Sequence, residues 1–581
     1  MGTIFSRVRL SGRRVAGLLI FMLLSAVAAM LLPTALASMI DVGVTGESRS
    51  AIAVIAVIMA ALSLLACLFN ILATVLSAKI STKFAADLRG EIFARVQSFS
   101  AAEMDAFGTA SLVTRTTSDV TNIQLFLSLL LRLGVTAPLM AVAGLALSSA
   151  TGGELSVVLN VAIPVLIIGA GVIVIFVSRY SVALRRKIDR LNRVFLETLE
   201  GVRVIRAFNR EEREAERFNE ANTELADMTV RSGRVSALLV PVIQVVFGVT
   251  TAAVMGLGAH YVSAGEMEVG ALVANSQYIS MILAAIMMLA LVIMLFPMSY
   301  ACAKRIAEVL NTEPSVKDGT HSASERTERA SVRFDHVSFA YSGADEPVLR
   351  DISFETRAGE VTAIIGRTGC GKSSVLKLIP RLYDATVGHV YVDGMDVRKY
   401  SLSELRGLIG YIPQKNVLFS GDVASNLSFG DGESGEDEWR AAAHIACADE
   451  FIERRPGGYH AEIAQGGTNL SGGQRQRMAI ARAVVKRPEI YLFDDSFSAL
   501  DMKTDRTLRE RLRENMGDST MIIVAQRVGS IIDADRILVM DDGAIVGCGR
   551  HRELLKSCPL YREIAELQLG EEEVQNELKG L

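Results

Sequence analysis

Six stretches of this chain run for twenty residues or more without a lysine, arginine, aspartate or glutamate, and all six lie before residue 304. They cover 15–40, 50–78, 133–153, 155–178, 235–265 and 269–303. A bilayer core of about 30 Å needs about 20 apolar residues in a helix. One such run is compatible with a buried soluble helix, but six in succession predict an all-α membrane domain over 1–310. Arg7, Arg9, Arg13 and Arg14 precede the first run, whereas the turns 150–154 and 263–270 hold neither lysine nor arginine. That asymmetry puts the amino terminus in the cytoplasm. The two long hydrophilic excursions, 79–132 and 179–234, then share the cytoplasmic side and read as extensions of the flanking helices. Each is broken once and followed by a short amphipathic piece, around 100–108 and 209–218.

Beyond residue 303 the pattern changes. Residues 311–330 are rich in Ser, Thr, Glu and Lys and read as a linker punctuated by Pro314. From 331 to 569, short β-rich runs alternate with helical ones, as in an α/β domain with a mostly parallel sheet. The expected fold is therefore multi-domain: a six-helix transmembrane domain followed by an α/β nucleotide-binding domain. Glu571, Glu572 and Glu573 open a tail, 570–581, that reads as a solvated acidic end.

Half of the residues are hydrophobic and 21% are charged, so the charge must be segregated outside the membrane. A net charge of -4 gives no basic footprint of the kind a nucleic acid needs. Cys67, Cys302, Cys370, Cys447, Cys548 and Cys558 show no CxxC spacing and read as reduced thiols.

Three motifs bring chemistry to the second domain. Gly366, Arg367, Thr368, Gly369, Cys370, Gly371, Lys372 and Ser373 match GxxxxGK[ST], with Ser374 next. The match follows an apolar strand, 361–365, and precedes a helical run, the context a phosphate-binding loop requires. Its glycines let successive backbone amides curl round phosphate oxygens. Lys372 is expected to hold the β and γ phosphates of ATP, and Ser373 a Mg²⁺ ion. Four apolar residues ending in Asp494 predict a buried strand with an acid at its carboxyl end, where such sheets bind ligands. Asp494 is the expected acid beside the Mg²⁺. Leu470, Ser471, Gly472, Gly473 and Gln474 form the third motif, at the start of a helix whose amides can donate to an anion.

With LSGGQ in place, the whole chain resembles ATP-binding-cassette exporters. The resemblance implies a half-transporter that works as a dimer, with the signature residues, Ser471 and Gly473 above all, capping the γ-phosphate of ATP on the partner. It also implies that Tyr341 stacks on adenine, that Gln414 links the Mg²⁺ to the membrane domain, and that Ser498 and Asp501 communicate between the two sites. The segment 206–218 resembles the second intracellular loop of these exporters, which docks on the partner's nucleotide domain. The partners implied are a second half-transporter, membrane lipid, and a hydrophobic or amphipathic cargo such as a drug, lipid or peptide, with no nucleic acid. A multi-pass protein of the cell membrane, with its nucleotide domain in the cytoplasm, follows.

Two positions depart from the family pattern. Asp495 stands where a glutamate that polarises the attacking water is usual, and Gln526 where a histidine contacts the γ-phosphate. The aspartate is shorter by one C–C bond, about 1.5 Å. A glutamine amide does not take up and relay a proton as an imidazole does. Both changes fall on one composite site, while this chain's own LSGGQ is intact. The combination resembles the degenerate-site subunit of heterodimeric multidrug-type exporters. The alternatives are a homodimer with two slow sites and an ATP-gated regulator or channel subunit. In the sixth run Met281, Met287, Met288, Met294 and Met298, with Phe296, are candidate cargo contacts, since flexible thioethers suit an adaptable apolar surface.

Overall fold

The computed structural model describes residues 11–152 and 155–579. Arg7, Arg9 and residues 153–154 of the first arginine-free turn lie outside them. Two compact units emerge, one of Met1–Gln97 with Ala110–Thr312 and the other of Ser98–Thr109 with Glu313–Leu581.

Among the described residues six helices are long and apolar enough to cross a membrane: Gly12–Gly43, Arg49–Gln97, Thr109–Thr151, Val161–Ala207, Glu211–Ser263 and Val269–Asn311. Large apolar side chains such as Val57, Leu64, Ile168 and Val249 stand exposed along them, as they must in a protein whose surroundings are lipid. The hydrophilic excursions continue the helices rather than ending them, because few glycines and no prolines interrupt them. The helix Ser156–Glu200 is met by Glu211–Ala237, and the two are laced by Lys187 and Arg190 on Glu224 at 2.7 and 2.5 Å and by Arg217 on Glu197 at 2.6 Å. Exposed pairs of this kind contribute little each; together they select the register. A counterpart with a buried carboxylate holds the sixth helix, where the half-exposed Arg305 donates from Nε and Nη2 to the two oxygens of Asp119 at 2.8 and 2.5 Å.

The second unit is α/β. Its strands are β1 (Val332–Phe339), β2 (Leu349–Thr356), β3 (Val361–Gly366), β4 (Val387–Val392), β5 (Met395–Asp396), β6 (Ile409–Ile412), β7 (Gly421–Asp422), β8 (Glu462–Ile463), β9 (Ile490–Asp494), β10 (Thr520–Val524), β11 (Arg536–Asp541) and β12 (Ala544–Gly549). A four-stranded sheet runs β2-β1-β4-β5, and a six-stranded sheet runs β12-β11-β3-β10-β9-β6. In the larger sheet β11, β3, β10, β9 and β6 run parallel to one another, and β12 pairs antiparallel with β11 at the edge. Strands β9 and β10 are buried at every position, which is why they read as continuous apolar runs in the sequence.

Two segments differ from their sequence reading. Residues 311–330 are no free linker. The sixth helix runs on to Asn311, and the following stretch is strapped down by Gly319 and His321 amides on the carbonyls of Tyr400 and Lys399 and by Arg326 between Asp393 and Glu489. The described part of the tail, 570–579, is not a solvated end either, since Glu571–Lys579 is a helix that buries Val574 completely; residues 580–581 lie outside the described residues. Its three glutamates occupy the first turn, where negative charge suits the helix dipole.

The short piece near 100–108 is the helix Ala101–Phe107, capped by Ser100 and Glu103. It packs within the second unit. Ala101 and Ala102 lie against the core under β1 and β4, Tyr383 donates to Asp105 at 2.6 Å, and Ser100 shares a hydrogen bond with Ser315 at 2.8 Å.

Candidate nucleotide site

Four adjacent parallel strands end along one edge of the larger sheet. In spatial order, β3 leads into the Gly366–Ser373 loop, β10 into Gln526, β9 into Asp494 and Asp495, and β6 into Gln414. Residues scattered over more than a hundred positions are thus delivered to one crevice, at the carboxyl ends where α/β sheets take ligands.

The loop after β3 requires glycine. Gly371 has φ +96°, and a Cβ there would meet the Val348 carbonyl at 2.9 Å and a Leu349 methyl at 2.7 Å. Lys372 is 9% exposed. Its ammonium donates to the carbonyls of Gly366 and Arg367 at 2.8 Å each and lies 3.7 Å from the Cys370 sulfur, so a cation is centred over a loop of backbone amides. Arg367 faces outward to Glu563 at 3.4 Å. Ser373 donates to Asp494 Oδ1 at 2.6 Å, and Tyr411 reaches Asp494 Oδ2 at 3.5 Å. A hydroxyl and a carboxylate held together are hard oxygen donors, the kind that Mg²⁺ takes. Thr368 and Gly369 complete the exposed turn of the loop. Tyr341 lies beside it, its hydroxyl bonded to Ser374 at 2.9 Å and its ring edge-on to Tyr383.

Asp495 has a left-handed backbone, φ +51°, a conformation aspartate tolerates better than most residues. Its Oδ2 accepts from Gln526 Nε2 at 2.8 Å and from Gln414 Nε2 at 3.3 Å. Burial pushes the Asp495 carboxyl above the usual carboxylate range, with amide donation from Gln414 acting the other way. The side chains of Asp495, Gln526 and Gln414 therefore meet at one carboxylate oxygen.

The signature residues lie elsewhere on the same unit. Ser471 caps the helix Gly472–Val485, accepting from the Gln474 amide while the Gln474 side chain accepts from Ser471 N–H. Leu470 is buried beneath, and Gly473 approaches the Ala499 carbonyl. Ser498 donates to the Asp495 carbonyl at 3.0 Å, and Asp501 caps the helix Met502–Asn515 through the Thr504 amide.

Two neighbours of the site escaped the sequence reading. Buried Gln476, on the signature helix, donates to the Asp495 carbonyl at 3.4 Å, and Gln568 binds the backbone around Gln526. Gln476 follows the signature by two residues without belonging to it, and Gln568 lies far from every motif.

A membrane domain joined to a phosphate-loop α/β unit defines a membrane-spanning ATPase. The description "ABC transporter transmembrane region" matches residues 15–287, and "ABC transporter" matches 349–498. An uncharacterized ABC transporter ATP-binding protein of Mycobacterium tuberculosis is 40% identical over 561 residues, 96% of each chain. The ATP-dependent lipid A-core flippase of Syntrophus aciditrophicus is 31% identical over 87% of this chain and 84% of its own. The structure of a bacterial Atm1-family ABC exporter with ATP bound superposes with a TM-score of 0.81 at 28% identity, covering 95% of this chain and 97% of that one. The chain belongs to the ABC transporter family and has the exporter fold, with a multi-pass membrane domain and a cytoplasmic ATP-binding domain.

Proposed function

We propose that this chain is one half of a heterodimeric exporter that moves a hydrophobic or amphipathic compound, a drug, lipid or peptide, out of the cytoplasm by alternating access. Its own ATP site holds nucleotide and turns it over slowly, and the partner's site, completed by Ser471 and Gly473 of this chain, carries most of the hydrolysis. The observation that carries this reading is the Gln526 amide donating to Asp495 Oδ2 at 2.8 Å. A carboxylate oxygen that already accepts two amide protons, on a side chain one methylene short, is a poor acceptor for the proton of an attacking water.

Lys372 and the loop amides would bind the phosphates of ATP, with Tyr341 at the adenine. Ser373, Asp494 and Gln414 would hold Mg²⁺, which when bound neutralises phosphate charge. Asp495 and Gln526 would then flank the γ-phosphate without removing a proton. The amino terminus lies inside. Val204 and Phe208, 61% and 72% exposed beside the break at 209, support docking of that loop on the partner's nucleotide domain. Met294, Phe296 and Met298 are exposed on the sixth helix and fit a cargo-facing surface. That the Syntrophus relative is named a lipid A-core flippase supports an amphipathic cargo.

The test uses inside-out vesicles containing the dimer. ATP-driven accumulation of a fluorescent lipid or dye is expected, together with uncleaved ATP retained on this chain after the partner's ATP has become ADP. Nucleotide-gated flux without accumulation, or equal cleavage on both chains, would overturn the reading.

A further inference from the structure

The nucleotide edge is held from the far end of the chain. Gln568 sits in the last turn of the helix Pro559–Leu569. Its Nε2 donates to the Gln526 carbonyl at 2.8 Å, and its Oε1 accepts from the Val528 amide at 2.7 Å. One side-chain amide, with a donor and an acceptor in a single plane, therefore satisfies a C=O and an N–H that lie past the end of the β10 ladder. Gln526 passes the restraint on through its own side chain to Asp495.

The helix that presents Gln568 is itself fixed. Tyr561 and Ala565 are completely buried. The Tyr561 hydroxyl pairs with His551 Nδ1 at 2.7 Å, and His551 Nε2 pairs with Glu577 at 2.7 Å. Gly570, at φ +97°, allows the chain to reverse so that Glu571–Lys579 packs back. Glu563 on the same helix also reaches Arg367 of the phosphate loop, in an exposed pair at 3.4 Å.

We propose that Gln568 is a positioning residue for the nucleotide site: by bridging the backbone of Gln526 and Val528 it keeps the Gln526 amide on Asp495 and prolongs ATP retention. The proposal rests on the reading of Asp495 and Gln526 as flanking an ATP-holding site. Because Gln568 is exposed at the surface, its truncation leaves no cavity, and a role confined to packing predicts no effect.

The experiment compares the full-length wild-type dimer with Gln568→Ala, Gln568→Glu and a neighbouring control, Leu567→Ala. Two quantities are read: hydrogen exchange of the Val528 amide, and the half-life of radiolabelled ATP photo-crosslinked to this chain after a chase with unlabelled ATP. Gln568→Ala should speed Val528 exchange and shorten ATP retention by about fivefold, the worth of a typical hydrogen bond. Gln568→Glu keeps an acceptor for Val528 but sets oxygen against the Gln526 carbonyl. It should leave Val528 protected and still shorten retention. Leu567→Ala should change neither. Wild-type retention in either Gln568 variant overturns the proposal. Failure of the wild-type protein to retain ATP on this chain instead overturns the reading on which it rests, and the Val528 exchange still reports whether Gln568 holds the loop.

Discussion

Replacing Asp495 by asparagine separates an asymmetric dimer from a symmetric one. The Asn side chain keeps a carbonyl oxygen that can accept from Gln526 and Gln414, now at 2.8 and 3.3 Å from Asp495 Oδ2. What is lost is the charge assistance of those two bonds, about 1 kcal/mol. Removal of a buried charge, on a carboxyl already pushed upward by burial, offsets it, so folding and ATP binding should survive. A well-placed general base contributes roughly 10² to 10⁴ in rate. If this site already lacks that contribution, it supplies on the order of 1% of turnover at the low end of that range, and Asp495→Asn should change steady-state ATPase by no more than that. Ser471→Arg lies in the same polypeptide and should be far more damaging. It removes a helix cap worth about 1 kcal/mol and puts a bulky side chain where the partner's γ-phosphate would dock. The assay is ATPase of the purified dimer at saturating ATP for both variants and for loss of the partner's equivalent glutamate, which should nearly abolish activity. A collapse of turnover with Asp495→Asn would sink the asymmetric reading.

Three further outcomes are expected. Lys372→Ala should weaken ATP binding at this chain's site at least tenfold, because a charge-assisted phosphate contact is lost; unchanged crosslinking of ATP to this chain would count against the assignment. Asp396 accepts from Arg398 and His389, and although burial opposes it, these bonds hold the carboxyl down at about 2. A carboxyl depressed on folding stabilises above its unfolded pKa, here by about 2 kcal/mol, and loses that as pH falls from about 4 to about 2; thermal-shift midpoints should drop more steeply over that window in wild type than in Asp396→Asn. Deleting residues 571–581 removes the burial of Val574, worth about 2 kcal/mol, and should lower the unfolding midpoint; an unchanged midpoint would show that the helix adds no stability.

What the sequence made legible follows from contiguity. Six uncharged runs announce membrane helices because a bilayer demands some twenty apolar residues in a row, and the phosphate loop is readable because its eight residues are consecutive. Gln568 was invisible, since it meets Gln526 only where the fold returns the chain 42 residues later. The acidic tail was misread for a related reason. Glu571, Glu572 and Glu573 dominated it, whereas the signal lay in Val574 and Leu578, four residues apart and both packed on the core, the spacing of one helical face. Asp495 and Gln526 are recognisable in the sequence as two departures falling on one composite site; that their side chains touch each other is not.

The assignment of residues 98–109 to the second unit has a consequence for anyone who would cut or recombine this protein. The nucleotide-binding part is not one continuous length of chain: a fragment beginning at residue 313 would leave Tyr383 without Asp105 and Ser315 without Ser100. A chimera grafting this cassette onto a foreign membrane domain would inherit the same gap unless that dozen residues travelled with it. The boundary between the two units in sequence is not their boundary in space.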